Sequence, residues 1–250
     1  MEEYIVLIFV IFLGVITNST FGFGFNIVSM SLLTLYFEVP FVAPLVPLLS
    51  LSTNLVIVVK ARKEIKYKSI TLLIIFSTIA IPIGIWISKY SAQDPFYDQL
   101  VRTIIGGLII GIALFNLFIP VVPHLKGKKA APIFGFMAGL MGGAFNITGP
   151  PIVIYGLFKK WDPQIFRATL QGFFVYVNVL IVIGHIYAGN MNDSKLAYFY
   201  LAAFPIIIIG TPIGKYINSQ FENPELFRKY VYYIMLVLGS IMILKAFGII

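Results

Sequence analysis

Apolar stretches follow one another from residue 4 to the C-terminus, and the breaks between them are short and polar. Such a pattern leaves no room for a soluble domain of any size. Hydrophobic residues make up 59% of the chain and charged residues only 11%, too few to wet the surface of a water-soluble fold. The expected fold class is therefore all-α integral membrane. Six segments are long enough to span: 41–59, 69–88, 100–120, 164–189, 196–217 and 228–249. At ~1.5 Å per residue, about 20 residues cover the ~30 Å hydrocarbon core. Four others, at 4–17, 25–37, 131–143 and 147–158, are shorter. About 13 helical residues reach only ~20 Å.

The same chain says nearly the same thing twice. Phe25-Asn26-Ile27 recurs as Phe145-Asn146-Ile147, and Ser52-Thr53-Asn54-Leu55 answers to Tyr176-Val177-Asn178-Val179. Pro82-Ile83-Gly84 recurs as Pro212-Ile213-Gly214, and Leu100-Val101-Arg102 as Leu226-Phe227-Arg228. The matches keep their order at offsets of about 120 to 130 residues. In a membrane protein a duplicated unit points to a transporter with its site at the repeat interface. Repeat one covers 1–122 and repeat two 130–250 of a single membrane domain. Each repeat is a short helical hairpin plus three spanning helices, about ten segments in all. The breaks within the hairpins are Thr17-Asn18-Ser19-Thr20-Phe21-Gly22-Phe23-Gly24 and Gly142-Gly143-Ala144-Phe145-Asn146. Each pair of short segments reads as a hairpin with its tip inside the membrane; four short, tilted, full crossings are the alternative.

Charge sets the expected orientation. Lys60, Arg62, Lys63, Lys66 and Lys68 crowd one loop, Lys126, Lys128 and Lys129 another, and Lys159 and Lys160 a third. Loops rich in Lys and Arg face the cytoplasm. The opposite loops hold Glu2, Glu3, Glu38, Asp94, Asp98 and Asp193. With an odd number of crossings per repeat, the repeats are inverted and both termini face outward. The net charge of +8 reports this orientation rather than an acidic partner. The basic loops are short, so no nucleic-acid role is expected. Glu2 and Glu3 stand where a cleaved signal peptide needs a basic region, so none is expected. There is no cysteine, hence no disulfide and no thiolate chemistry.

The hairpin tips are the candidate site. Non-helical backbone at membrane depth survives only where protein or a water-filled cavity satisfies it. Each tip precedes a helix start, whose free N–H groups favour an anion. Gly22, Gly24, Gly142 and Gly143 let backbone amides approach a ligand. Asn26 and Asn146 offer amide donors, and Thr20 and Thr148, with Thr17 and Ser19, offer hydroxyls. Their blander reading is close helix packing and local hydrogen bonds. A structural tie that holds the tips closed is the main rival for the two asparagines. Asn54 and Asn178 sit mid-segment on the first full span of each repeat. Gln171 lies seven residues before Asn178 on one helix face, with Thr169 on the same span. This polar stripe lines the path or bonds between helices. Pro150-Pro151 opens the second half of hairpin two, where the first helical turn tolerates proline.

No Asp or Glu lies inside an expected span, which argues against a cation pump and fits an anion held by neutral donors. Arg102 and Arg228 lie near span ends and snorkel to the interface. Arg167 lies near the cytoplasmic start of its span, and attraction of anions is its second reading. His124 and His185 have no partner at metal-ligand spacing, and no nucleophile–base pair is present, so neither enzyme nor cofactor is expected.

The run Gly139-Leu140-Met141-Gly142-Gly143-Ala144-Phe145-Asn146-Ile147-Thr148-Gly149-Pro150-Pro151-Ile152-Val153-Ile154-Tyr155, followed by Arg167-Ala168-Thr169, resembles the TauE/SafE family. This is the sulfite exporter or toluene sulfonate uptake permease family, and the resemblance covers essentially the whole chain. The first tip, Phe21-Gly22-Phe23-Gly24-Phe25, is richer in Phe than the family's usual motif and lacks its following Pro. The resemblance implies transport of a small sulfur-containing anion such as sulfite, thiosulfate, sulfoacetate or another organosulfonate. The expectation is a multi-pass inner-membrane secondary carrier with a midplane site and alternating access. Its expected partners are the anion, the bilayer, protons carried on the substrate, and a second copy of the chain in a homodimer. An anion channel and a non-transport assembly partner are the competing classes.

Overall fold

In the computed structural model, the described residues are 2–33, 36–37, 39–91, 95–118, 129–221 and 223–249. Among them are ten helices and no strand. They are α1 (Glu2–Phe21), α2 (Phe25–Leu33), α3 (Val39–Ala61), α4 (Tyr67–Ser91) and α5 (Pro95–Phe118), then α6 (Ala131–Phe145), α7 (Gly149–Phe158), α8 (Pro163–Tyr187), α9 (Ser194–Ser219) and α10 (Pro224–Ala246). Six of them, α1, α3, α4, α8, α9 and α10, are long and apolar enough to cross a bilayer. The chain is thus an all-α membrane protein. Of the expected span 100–120, residues 119 and 120 lie outside the described residues, as do residues 34 and 35 of segment 25–37. Glu38, Asp94, His124, Lys126 and Lys128 also lie outside them, and so do the side chains of Asp98, Arg102 and Arg228.

Two expected breaks are corrected. Gly142-Gly143-Ala144-Phe145 is the last turn of α6, held against α4 where Gly143 meets Ile81, so of that break only Asn146 lies outside the helix. The segment expected to end at residue 17 continues to Phe21, making α1 20 residues long. The polar run Thr17-Asn18-Ser19-Thr20, expected as a break, is helical because other helices supply its partners. Asn18 Nδ2 donates to Asn54 Oδ1 at 2.9 Å and to Gln171 Oε1 at 3.4 Å. The last carbonyls of α1 are capped from α8 and α9: Asn18 O accepts from Gln171 Nε2, Ser19 O from Arg167 Nη1 and Thr20 O from Asn218 Nδ2. Helix ends leave such carbonyls short of backbone partners; Gly22 N–H still reaches Asn18 O at 2.8 Å, and side chains hold those of Ser19 and Thr20.

The closest packing crosses between the halves of the chain. Helix α4 lies against α6, α1 against α9, α3 against α8 and α5 against α10. Lipid tails give helices no hydrophobic reason to associate, so small residues that allow close approach carry the contacts. On α6, Gly135, Gly139 and Gly143 face the backbone of Leu73, Ser77 and Ile81 on α4. Ser77 Oγ adds a 2.7 Å bond to the Gly135 carbonyl. The recurring Pro-Ile-Gly has one use in both halves. Gly84 of α4 meets Leu140 and Ala144 of α6, and Gly214 of α9 meets Ile16 and Thr20 of α1.

Candidate functional site

The two helical hairpins touch at their breaks. In the first, Gly22 and Gly24 take φ of +87° and +106°, values only glycine adopts freely, and turn the chain from α1 into α2. In the second, Asn146 takes φ 57° as the left-handed cap of α6. Asparagine is one of the few side-chain-bearing residues that tolerate this region. Asn26 Nδ2 donates to the Asn146 carbonyl at 2.9 Å, and Asn146 Nδ2 donates to the Ala43 carbonyl of α3 at 3.0 Å. Residues 24–27 and 147–149 meet beside Ser50, near the centre of α3, and Asn178, in the central part of α8, while Gly22 lies against Arg167 in the second turn of α8.

Between the tips is a cavity of about 20 Å³, room for roughly one water. Asn18, Asn26, Ser50, Thr148 and Asn178 supply its polar lining, and the starts of α2 and α7 its backbone. Asn178 and Asn54 both donate to Ser50 Oγ, at 3.0 and 3.3 Å. The recurrent asparagines of the two halves therefore meet on one serine. Two buried oxygens here, Asn26 Oδ1 and Asn178 Oδ1, have no hydrogen-bond partner among the described residues. Leaving such atoms unmet costs about 1–3 kcal/mol each. A turn of the Asn178 amide keeps its link to Ser50, whose hydroxyl can donate, and aims Nδ2 into the cavity. Asn26 cannot do the same without giving up its bond to Asn146.

Of the residues expected at the site, Gly24, Asn26, Thr148 and Asn178 line this cavity. Asn146 adjoins it through its carbonyl. Asn54 and Gln171 stand one layer back, joined to it through Asn18 and Ser50. The remaining four pack helices. Gly22 lies 2.8 Å from Arg167 Cα as measured from an ideal Cβ, Gly142 lies against Thr148, and Gly143 against Ile81. Thr20 Oγ1 donates to the Gly214 carbonyl of α9. Pro150 and Pro151 have no N–H, so the start of α7 offers fewer backbone donors than that of α2.

A second space, about 450 Å³, opens beside the basic α3–α4 loop. Lys60, Glu64, Arg167, Lys215 and Tyr216 are among the residues that line it. Arg167 and Asn218 both line the space and hold α1 carbonyls. Asn18, one turn earlier on α1, lines the tip cavity. The end of α1 is thus bonded to residues of the wide vestibule and contributes to the tight polar centre. Sequence reasoning missed Asn18, Ser50, Asn218 and Lys215 as parts of this arrangement. Asn18 falls in the expected break, and Ser50 stands two residues before the recurring Ser52-Thr53-Asn54-Leu55, outside the matched positions.

A polytopic helical protein whose two helical hairpins meet at their polar breaks beside a vestibule has the architecture of a membrane transporter. The family model described as Sulfite exporter TauE/SafE matches residues 7–242, and the chain belongs to this family of transporters. It is similar to a probable sulfite/organosulfonate exporter TauE of Cupriavidus necator, 20% identical over 236 residues that cover 93% of this chain and 91% of that one. No solved structure matches it.

Proposed function

We propose that the chain is a secondary carrier of a small sulfur-containing anion, bound at the midplane between the two tips. One observation carries the reading: Asn26 of the first break bonds the Asn146 carbonyl of the second, 120 residues on, beside two helix starts. The C. necator relative's name points to sulfite or an organosulfonate as the cargo. The 20 Å³ centre is too small for either, so the carrier must open there to bind. Parting the tips releases the Asn26 amide from Asn146 and turns a structural tie into an anion donor. The closed tips and the wide vestibule then represent one stage of an alternating-access cycle.

The halves are read as inverted repeats in the inner membrane, with the vestibule toward the cytoplasm. Support comes from the cross-half packing of α4 on α6 and α1 on α9, and from the lysines around the vestibule. An alkaline phosphatase fused after residue 250 should be active outside; an inactive fusion, with a cytoplasmic reporter active at the same site, reverses the orientation. Among the described residues no Asp or Glu is buried, so a coupled proton rides on the anion, as bisulfite allows.

The test is uptake of labelled sulfite, thiosulfate and sulfoacetate into proteoliposomes, with and without a pH gradient. Saturable uptake of one anion, at a rate set by the gradient for a protonatable one, is expected. No uptake by folded protein removes sulfur anions from the reading, and unitary currents replace the carrier with a channel.

A further inference from the structure

The vestibule holds what the tips lack, which is permanent positive charge. Arg167 is 6% exposed, in the second turn of α8. Its Nη1 donates to the Ser19 carbonyl at 3.0 Å, and its Nε has no partner among the described residues. A guanidinium carries five N–H donors, and Nε and Nη2 form a flat edge that fits two oxygens of one oxyanion. A buried arginine whose Nε is unpaired is costly unless something visits it. Lys60 and Lys215, both exposed, line the same space. Three cations there face one carboxylate, the exposed Glu64. Three neutral side chains that line the space are committed elsewhere: Thr211 to the Ile207 carbonyl, Asn218 to that of Thr20 and Ser219 to that of Tyr216.

We propose that the vestibule is an anion-binding site in its own right, where Arg167 holds a sulfonate- or sulfite-like oxyanion through its unpaired Nε and the neighbouring Nη2 while Lys215 and Lys60 draw it in. The site would load the tips in the carrier reading above, on which it rests for its purpose but not for its chemistry. At about 450 Å³ it also admits a carbon tail, which the apolar walls of Ile57 and Pro212 would cover.

The absence of cysteine makes the test clean. Tyr216→Cys places one thiol on the vestibule wall, at a position 68% exposed. The protein is reconstituted in phosphatidylcholine vesicles, so no anionic headgroup competes for the site. Methanesulfonate should slow alkylation of that thiol by iodoacetamide with a saturable midpoint, and gluconate at equal ionic strength should not. Arg167→Lys should raise the midpoint about tenfold, by loss of the flat fork, and Lys215→Gln about threefold. Lys215 is exposed, so its variant remains informative if the Arg167 variant does not fold. Asn26→Asp should leave the protection in place. Protection that is absent, or unchanged in the Lys215 and Arg167 variants, overturns this site. A folded protein that shows the protection but transports no sulfur anion retains the site and loses only the carrier reading.

Discussion

Gly139→Leu should abolish folded protein, while Gly107→Leu on α5 should leave it intact. An ideal Cβ at Gly139 sits 2.6 Å from Ser77 Cα and 2.9 Å from Ser77 C, both backbone atoms of α4. Backbone cannot swing aside as a side chain can, so the whole α4–α6 contact must part. Overpacking of this kind costs about 3 kcal/mol or more. That is a large share of the roughly 5–15 kcal/mol that holds a typical fold together. From an ideal Cβ at Gly107 no atom of another helix among the described residues lies within 4 Å, so leucine there meets no obstacle among them and gains up to ~1 kcal/mol of helix propensity. Thermal melting of the detergent-purified variants, followed by size-exclusion profile, measures the difference. A Gly139→Leu protein that melts like the parent would mean that α4 and α6 do not approach so closely.

The same glycines show how much could be read in advance. The recurrence of Pro-Ile-Gly was visible in the sequence, but its use was not. Gly84 and Gly214 each serve the opposite half, against α6 and α1. A motif match carries no information about which distant helix it meets. The asparagines were legible because an amide in hydrocarbon needs a reason. Their partners were not: Asn178 and Asn54 share Ser50, and Asn18 reaches Gln171 across 153 residues. Those bonds also explain why the first break is helical as far as Phe21. Thr, Asn and Ser in a row read as a break by propensity, and tertiary hydrogen bonds keep them helical. Arg167 sits near the end of its span in sequence, where snorkelling is the ordinary outcome. Only the fold shows that the end of α1 covers it and takes one of its donors.

Asn26→Asp should reduce anion flux to about a hundredth of the parent rate or less at pH 8. The change is nearly isosteric and puts a carboxylate where the tips meet. It removes the donor to the Asn146 carbonyl and sets like charge against the cargo. Two unit charges ~4 Å apart repel by about 4 kcal/mol at an effective dielectric of 20. At about 1.4 kcal/mol per tenfold, that is two to three powers of ten. This repulsion needs the carboxylate in its ionised form. As the pH falls it takes a proton and regains a donor for Asn146. The ratio of variant to parent flux should therefore rise between pH 8 and pH 5.5, a trend that a purely steric defect would not give. Asn146→Gly is the companion: glycine keeps the left-handed cap and removes only the amide that holds Ala43. It should stay folded and transport poorly. Parent-like flux from Asn26→Asp at pH 8 would take the anion's path away from the tips. Loss of folded protein from both variants would leave the two asparagines as structural ties alone.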